Sequence, residues 1–298
     1  MTHVAFLGVG AMGLGMAARL AASGQKVIAY DLSPEALARA TNAGCEAAGS
    51  AGEAVKGASV VITMLATGAQ VAAAYAETIL PNAEKGALVI DCSTIDVETA
   101  RAVAAQAAAA GLRPADAPVS GGTMAAEAGT LAFMVGCDEP LFEVVRQALS
   151  PMARVTIHAG GAGAGQAAKI CNNMVLGISM LGVCEAFGLA EKLGLAPDRF
   201  FEIASQSSGQ CWSLTTYCPW PGPVPTAPSN RGYEGGFLTA LMLKDLKLAQ
   251  EAAAKSGATT PLGAQAEALY ALFDRLGYGR KDFSAVLQLL RGRLDELG

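Results

Sequence analysis

The sequence predicts an α/β fold: a mostly parallel sheet covered by helices on both faces, followed by an all-helical second half. Three observations carry this. Short β-branched runs alternate with alanine-rich helical runs through the first half. A glycine-rich turn joins the first strand run to the first helical run. After Gly165 no convincing strand pattern returns, and long helical runs take over. With 298 residues, 52% hydrophobic and 16% charged, the chain has core enough for two ordinary domains and lies far from a disordered composition.

Taken in order, strands are expected at 3–8 (HVAFLG), 26–31 (KVIAYD), 59–65 (SVVITML) and 87–93 (ALVIDCS), with weaker ones at 113–119, 131–136 and 154–159. Helical stretches at 12–23, 34–43, 69–79 and 96–110 lie between them. This spacing implies βαβ units, and the near-continuous apolar strands imply burial on both faces. The second half reads as helices at 166–193, 197–206, 238–256, 261–276 and 282–294. We place the domain boundary near 160–166, giving units 1–163 and 164–298. The segment 218–236, with Pro219, Pro221, Pro223, Pro225 and Pro228, is too rich in proline and glycine for helix or strand. Trp212 and Trp220 fall in or beside it, so residues 207–237 are expected to form an ordered loop rather than a disordered one.

Net charge is −5 and no lysine–arginine block occurs, which argues against nucleic acid or an anionic membrane as partner. Seven scattered cysteines without a C-x-x-C pair, and only two histidines, give little support for a zinc site or disulfide framework and suit a reducing, cytoplasmic compartment. No basic leader precedes the first strand, so no signal or transit peptide is expected. The apolar run from Ile170 to Cys184 is shorter than the roughly 20 residues of a membrane span, and a buried helix is expected there.

The turn GVGAMG (8–13) fits G-x-G-x-x-G and sits between a strand and a helix. Gly8 suits a tight turn, Gly10 lets a pyrophosphate approach the backbone, and Gly13 lets helix and strand pack closely. The helix N-terminus offers N–H groups to phosphate. Asp31 closes the second strand about 20 residues on, where a ribose-binding acid belongs. A carboxylate there accepts from the 2′-hydroxyl of NAD and repels a 2′-phosphate, and Leu32, Ser33 and Pro34 supply no arginine. The first domain therefore reads as Rossmann-type and NAD-binding. Alternatively, Asp31 is a turn residue of an Asp-Leu-Ser-Pro stretch.

Two further stretches invite a chemical reading. In DAPVSGG (116–122), Ser120 and two glycines can aim N–H groups and a hydroxyl at an anion, or form a plain turn. From Val155 to Cys184 the one formally charged side chain is Lys169, with Asn173 one helical turn on, on the same face. A lysine snorkelling from a boundary is the ordinary alternative. Its isolation, its asparagine neighbour and its place where helices succeed the sheet favour a buried site.

Taken together, FLGVGAMG, DCSTID, DAPVSGG, GTLAFMVG, GAGQAAKICNNM, SSGQCWS, YEGGF and KDLKLAQ resemble the β-hydroxyacid dehydrogenase family nearly end to end. KICNNM, SSGQCWS and the Pro-Trp-Pro-Gly loop resemble its 3-hydroxyisobutyrate branch. The resemblance implies a Rossmann domain, an all-helical domain for substrate binding and oligomerisation, NAD as cofactor and no metal. It implies Lys169 as the catalytic lysine with Asn173 beside it, and Ser120, Gly121 and Gly122 holding the substrate carboxylate. By the same resemblance Met12, Leu65, Ala66, Gln70 and Thr94 border the cofactor and Lys244 reaches both cofactor and substrate. Separately, the two tryptophans and five prolines of 207–237 lead us to expect that segment as an ordered wall of the pocket, with Trp212 on the substrate side. Ala66 stands where proline is usual and Ala125 where glycine is common; neither change removes a functional side chain.

The implied activity is NAD-dependent oxidation of 3-hydroxyisobutyrate to methylmalonate semialdehyde, as in valine catabolism, by a cytoplasmic homo-oligomer, dimer or tetramer. An amine beside the alcohol can take its proton and return it in reverse, and burial in apolar surroundings disfavours a lysine's charged form. The same pocket type suits reductases of tartronate semialdehyde, succinic semialdehyde or glyoxylate. A dinucleotide-binding module without chemistry is the alternative outside enzymology.

Overall fold

The computed structural model describes residues 3–297. They form two compact units, the first ending at Lys169 and the second beginning at Ile170. The long helix Ala164–Lys192 runs through that division.

The first unit is built on nine strands: β1 (His3–Leu7), β2 (Val27–Tyr30), β3 (Glu46–Ala47), β4 (Ala58–Thr63), β5 (Leu88–Asp91), β6 (Arg113–Asp116), β7 (Val119–Ser120), β8 (Leu131–Gly136) and β9 (Ala153–Gly160). The order β3-β2-β1-β4-β5-β6 is parallel throughout. β8 runs antiparallel to β6 and β7, and β9 runs parallel to β8. Chain order reverses between β1 and β4, the switch point where ligands bind in open α/β sheets. Period-two alternation feeds two cores. Val4, Phe6, Leu88 and Ile90 enter one, and Ala5, Leu7 and Val89 enter the other. With both faces covered, these strands have no polar face, hence their apolar runs.

The weak strand expected at 113–119 is two pieces, β6 and β7, separated at Ala117–Pro118. Pro118 has no N–H for a ladder, yet its carbonyl accepts from Met134 N–H at 3.0 Å. The helical stretch expected at 69–79 begins as an α-helix, Gly68–Ala73, and passes through a π-helical segment, Ala74–Ile79.

The second unit contains the rest of the long helix together with Pro197–Ser205, Trp212–Thr215, Thr239–Ser256, Pro261–Phe273 and Val286–Arg291. Met180, Cys184, Phe187, Met242, Leu246, Tyr270, Phe273 and Phe283 centre its core. The apolar segment expected to be too short for a membrane span belongs to a 29-residue helix that is long and apolar enough to cross one by length and composition. Core helices of globular proteins meet the same criteria. Here 44% of the apolar window is buried within the protein, with Met180, Cys184 and Phe187 in the core.

The proline-rich loop packs against this unit. Trp220 stacks on Phe187 at 5.6 Å and lies under the Arg291 guanidinium at 4.3 Å. Tyr233 OH donates to the Pro219 carbonyl at 2.9 Å, and Ser229 OH to that of Cys218 at 2.8 Å. Asp282, fully buried, accepts from Tyr217 OH at 2.7 Å and from Phe237 N–H at 2.8 Å. Burial pushes the Asp282 carboxyl upward, and the Ser284, Tyr217 and Phe237 donors pull it back.

Candidate active site

The glycine turn after β1 owes its shape to contacts as well as dihedrals. Gly8 has φ 94°, and a Cβ there would collide with the Met64 carbonyl just after β4. A Cβ on Gly13 would collide with the Gly8 carbonyl, so helix Ala11–Ala22 lies directly on the turn. At Gly10 a Cβ would meet nothing within 4 Å. That helix starts at Gly10 with no side-chain cap, so its first N–H groups can bind phosphate; Met12 is partly buried in this first turn. The cradle fits the pyrophosphate of a dinucleotide.

Asp31, immediately after β2, accepts from Val9 N–H at 2.8 Å and from Ser33 N–H at 2.9 Å. A carboxylate has about four acceptor positions, so these bonds orient it without exhausting it for a ribose hydroxyl. The turn reading and the ribose reading of Asp31 are therefore compatible. Leu32, 84% exposed, follows it.

Beyond β4 and β5, side chains set the loop edges. Asp91 accepts from Thr63 OH at 2.7 Å and from Ser93 OH at 2.6 Å, and Ser93 Oγ accepts from Leu65 N–H at 2.8 Å. Ala66 N–H donates to Gln70 Oε1 at 3.0 Å. A proline at position 66 could not make that bond, so the departure from the family pattern has a local use. Thr94 is partly buried beside these groups.

Ser120 ends β7, and Gly121 (φ 133°) opens the helix Gly122–Ala128. A Cβ on Gly121 would meet the Ala125 methyl at 2.5 Å. The alanine at 125 is thus accommodated by glycine at 121.

Lys169, 7% exposed, lies in the second turn of the long helix. The start of that helix is held by Asp116, whose carboxylate accepts from Gly163 N–H at 2.6 Å and Gln166 N–H at 2.9 Å. Burial pushes Asp116 up to about 6; the two N–H donors oppose that shift, and Asp91 nearby adds to it.

Asn173, one turn past Lys169, is 1% exposed. Its Nδ2 donates to Asp245 Oδ2 at 2.5 Å, and its Oδ1 accepts from Asn172 Nδ2 at 3.0 Å. Asp245 is 3% exposed, and the partly exposed Lys244 ammonium lies 3.7 Å from its other oxygen. Trp212 belongs to a different cluster of the second unit, stacked on Tyr217 at 4.8 Å and 48% exposed.

A family profile described as the NAD binding domain of 6-phosphogluconate dehydrogenase matches residues 3–161. A second, described as NAD-binding of NADP-dependent 3-hydroxyisobutyrate dehydrogenase, matches residues 163–290. The 3-hydroxyisobutyrate dehydrogenase of Pseudomonas aeruginosa is 48% identical over 297 residues, covering 98% of this chain and 100% of its own. The chain belongs to the 3-hydroxyisobutyrate dehydrogenase family. It is an NAD-dependent oxidoreductase of the β-hydroxyacid dehydrogenase type. The solved structure of Mycobacterium tuberculosis 3-hydroxyisobutyrate dehydrogenase with L-serine is 50% identical, has a TM-score of 0.94, and spans 98% of this chain and 99% of that one. An NAD-dependent L-serine dehydrogenase of P. aeruginosa is 45% identical over 291 residues, covering 97% of this chain and 98% of its own.

Within this dehydrogenase, sequence reasoning missed three buried polar residues: Asp245, Gln166 and Asp116. Asp245 sits among Lys244, Lys247 and Glu251 and reads as part of a solvated helix face. Its burial is a tertiary fact. Asp116 opens DAPVSGG, where the serine and glycines carry the visible signal, and its partners lie 47 and 50 residues away.

Proposed function

We propose that the chain oxidises 3-hydroxyisobutyrate to methylmalonate semialdehyde, as in valine catabolism, with Lys169 as the proton-transfer group. The observation that carries this reading is one unbroken helix bearing a buried amine and a buried amide a turn apart, Lys169 and Asn173. Bound NAD supplies the acceptor for the hydride that leaves the carbinol carbon. Lys169 Nζ takes the hydroxyl proton in oxidation and returns it in reduction. Asn173 hydrogen-bonds the same oxygen, and its bond to Asp245 sets which way the amide faces. Ser120 with the N–H groups of Gly121 and Gly122 holds the substrate carboxylate, while Lys244 and Trp212 bound the substrate. Gly8, Gly10, Met12, Gly13, Asp31, Leu65, Ala66, Gln70 and Thr94 hold the dinucleotide, with Lys244 reaching it.

A second reading, oxidation of L-serine, is favoured by the serine dehydrogenase relative and by the similar M. tuberculosis enzyme, whose structure was solved with L-serine. Serine keeps the primary alcohol and the carboxylate and replaces a methyl by an ammonium. Turnover of purified protein on 3-hydroxyisobutyrate and L-serine, each with NAD⁺ and NADP⁺, decides between them. The first reading expects the highest kcat/KM with 3-hydroxyisobutyrate and NAD⁺; a higher value with serine overturns it.

We also propose a cytoplasmic homo-oligomer formed through the helical domain. Val175 and Leu189, each more than half exposed on the long helix, and Leu193, exposed in the turn just after it, support a second copy as the covering surface.

A further inference from the structure

The first turn of the long helix is tied to the sheet by a side chain that the proposed chemistry leaves unused. Gln166 is fully buried. Its Oε1 accepts from Ile95 N–H at 3.1 Å and its Nε2 donates to the Ser93 carbonyl at 2.7 Å. One amide thus grips the backbone on either side of Thr94. The backbone N–H of the same residue donates to Asp116, which also holds Gly163 N–H. Ser93 continues the chain of contacts through its hydroxyl, which accepts from Leu65 N–H and donates to Asp91.

These bonds reach 71 and 73 residues along the chain. A helix start needs no such reach, because a neighbouring side chain can cap it. The consequence is geometric. Asp116 fixes where the helix begins, and Gln166 fixes its rotation against the Thr94 turn. Lys169 follows Gln166 by three residues, on the adjoining face of the same turn.

We propose that Gln166 is a positioning residue that registers Lys169 against the Thr94 turn, so that proton acceptor and hydride acceptor meet one carbinol in a single geometry. This rests on the reading of Lys169 as the proton-transfer group and of Thr94 as part of the cofactor wall. Hydride and proton leave adjacent atoms, and misplacing a reacting group by about 1 Å can cost on the order of a hundredfold in rate.

The test uses Gln166→Ala and Gln166→Glu, each alone and combined with Lys169→Ala, followed by kcat, substrate KM, NADH affinity and melting temperature. The expected result for Gln166→Ala is a fall in kcat of about tenfold to a hundredfold, with KM and NADH affinity nearly unchanged. In the Lys169→Ala background the same change should lower kcat no further, since the residue acts through the lysine. Gln166→Glu adds a rescue arm. A protonated carboxyl offers one donor and one acceptor, the pattern the amide uses, whereas a carboxylate repels the Ser93 carbonyl. Its rate in the reductive direction, relative to wild type, should recover as pH falls.

Equal losses in both backgrounds, an unchanged kcat, or a loss that tracks the folded or NADH-bound fraction would each overturn the proposal. If Gln166→Ala does not fold, the pH rescue of Gln166→Glu decides the matter, and its absence counts against the proposal. If Lys169→Ala alone keeps most of the activity, the reading of the lysine fails, whatever the Gln166 variants do.

Discussion

Around Gly8 and Gly13 in the first unit, main chain meets main chain so closely that a single methyl has no room. Around Asn173 and Asp245 in the second, buried side chains meet one another, and the backbone there is ordinary helix. The difference follows from what each part binds in the proposed function. A pyrophosphate is recognised by N–H groups, so the chain must present backbone, and glycine is the residue that permits it. An alcohol and its proton are handled by an amine and an amide, so the chain must present side chains and lock their orientation. Adding a methyl should therefore break the first arrangement, while changing one atom should break the second.

The largest effect on turnover is expected from Lys169→Ala, which should lower kcat by roughly 10²–10⁴-fold, as for a positioned acid or base. NADH affinity, which the proposed function assigns to the glycine turn, should survive; fluorescence titration of NADH checks this. Gly13→Ala should do the reverse damage. With its Cβ against the Gly8 carbonyl, it should cost about 1–3 kcal/mol of stability and weaken NADH binding by roughly tenfold or more. A normal NADH affinity in this variant would mean that the turn relaxes more freely than its contacts indicate.

Asp245→Asn changes one atom. It replaces a charge-assisted bond to Asn173 by a neutral one or by a clash of amides, and the expected loss in kcat is about tenfold to a hundredfold. NADH titration should again be unaffected. Replacing Asp31 by Ser together with Leu32→Arg should shift the ratio of kcat/KM for NAD⁺ over NADP⁺ toward NADP⁺. An unchanged ratio would show that Asp31 serves the turn through Val9 and Ser33 alone. Tyr217→Phe is expected to have the smallest effect, about 1 kcal/mol of stability in a denaturant titration. Asp282 keeps Phe237 and Ser284 as donors after the change.

Parallel strands were legible because burial on both faces leaves them as short, mostly apolar runs, as at β1, β4 and β5. The glycine turn was legible because Gly8 and Gly13 answer separate steric demands within the chain, and Gly10 leaves the helix start open. Strand β3 was not, since two exposed residues, Glu46 and Ala47, carry no periodicity. Helix Gly122–Ala128 was hidden because it opens on glycines that read as a turn. Lys169 and Asn173 stood out by isolation in an apolar run. Asp245 did not, because charged neighbours on its own helix disguise a buried acid. Gln166 had no local signal at all: its partners are set by tertiary contact, and glutamine near a helix start is ordinary. Residues whose role is to hold other residues are the ones a single sequence conceals.

The central claim is that one buried amine carries the proton, and the pH dependence of kcat for oxidation with saturating NAD⁺ tests it most directly. Wild type, Lys169→Ala and Lys169→Arg would be compared over the range in which each remains folded. The expected wild-type rate rises with pH as the amine loses its proton, and that limb is absent from Lys169→Ala. Lys169→Arg should be nearly as slow as Lys169→Ala, because guanidinium stays protonated at working pH and cannot accept the proton. A Lys169→Ala enzyme that keeps most of its activity and the same rising limb would contradict the account, and would assign the proton to another group.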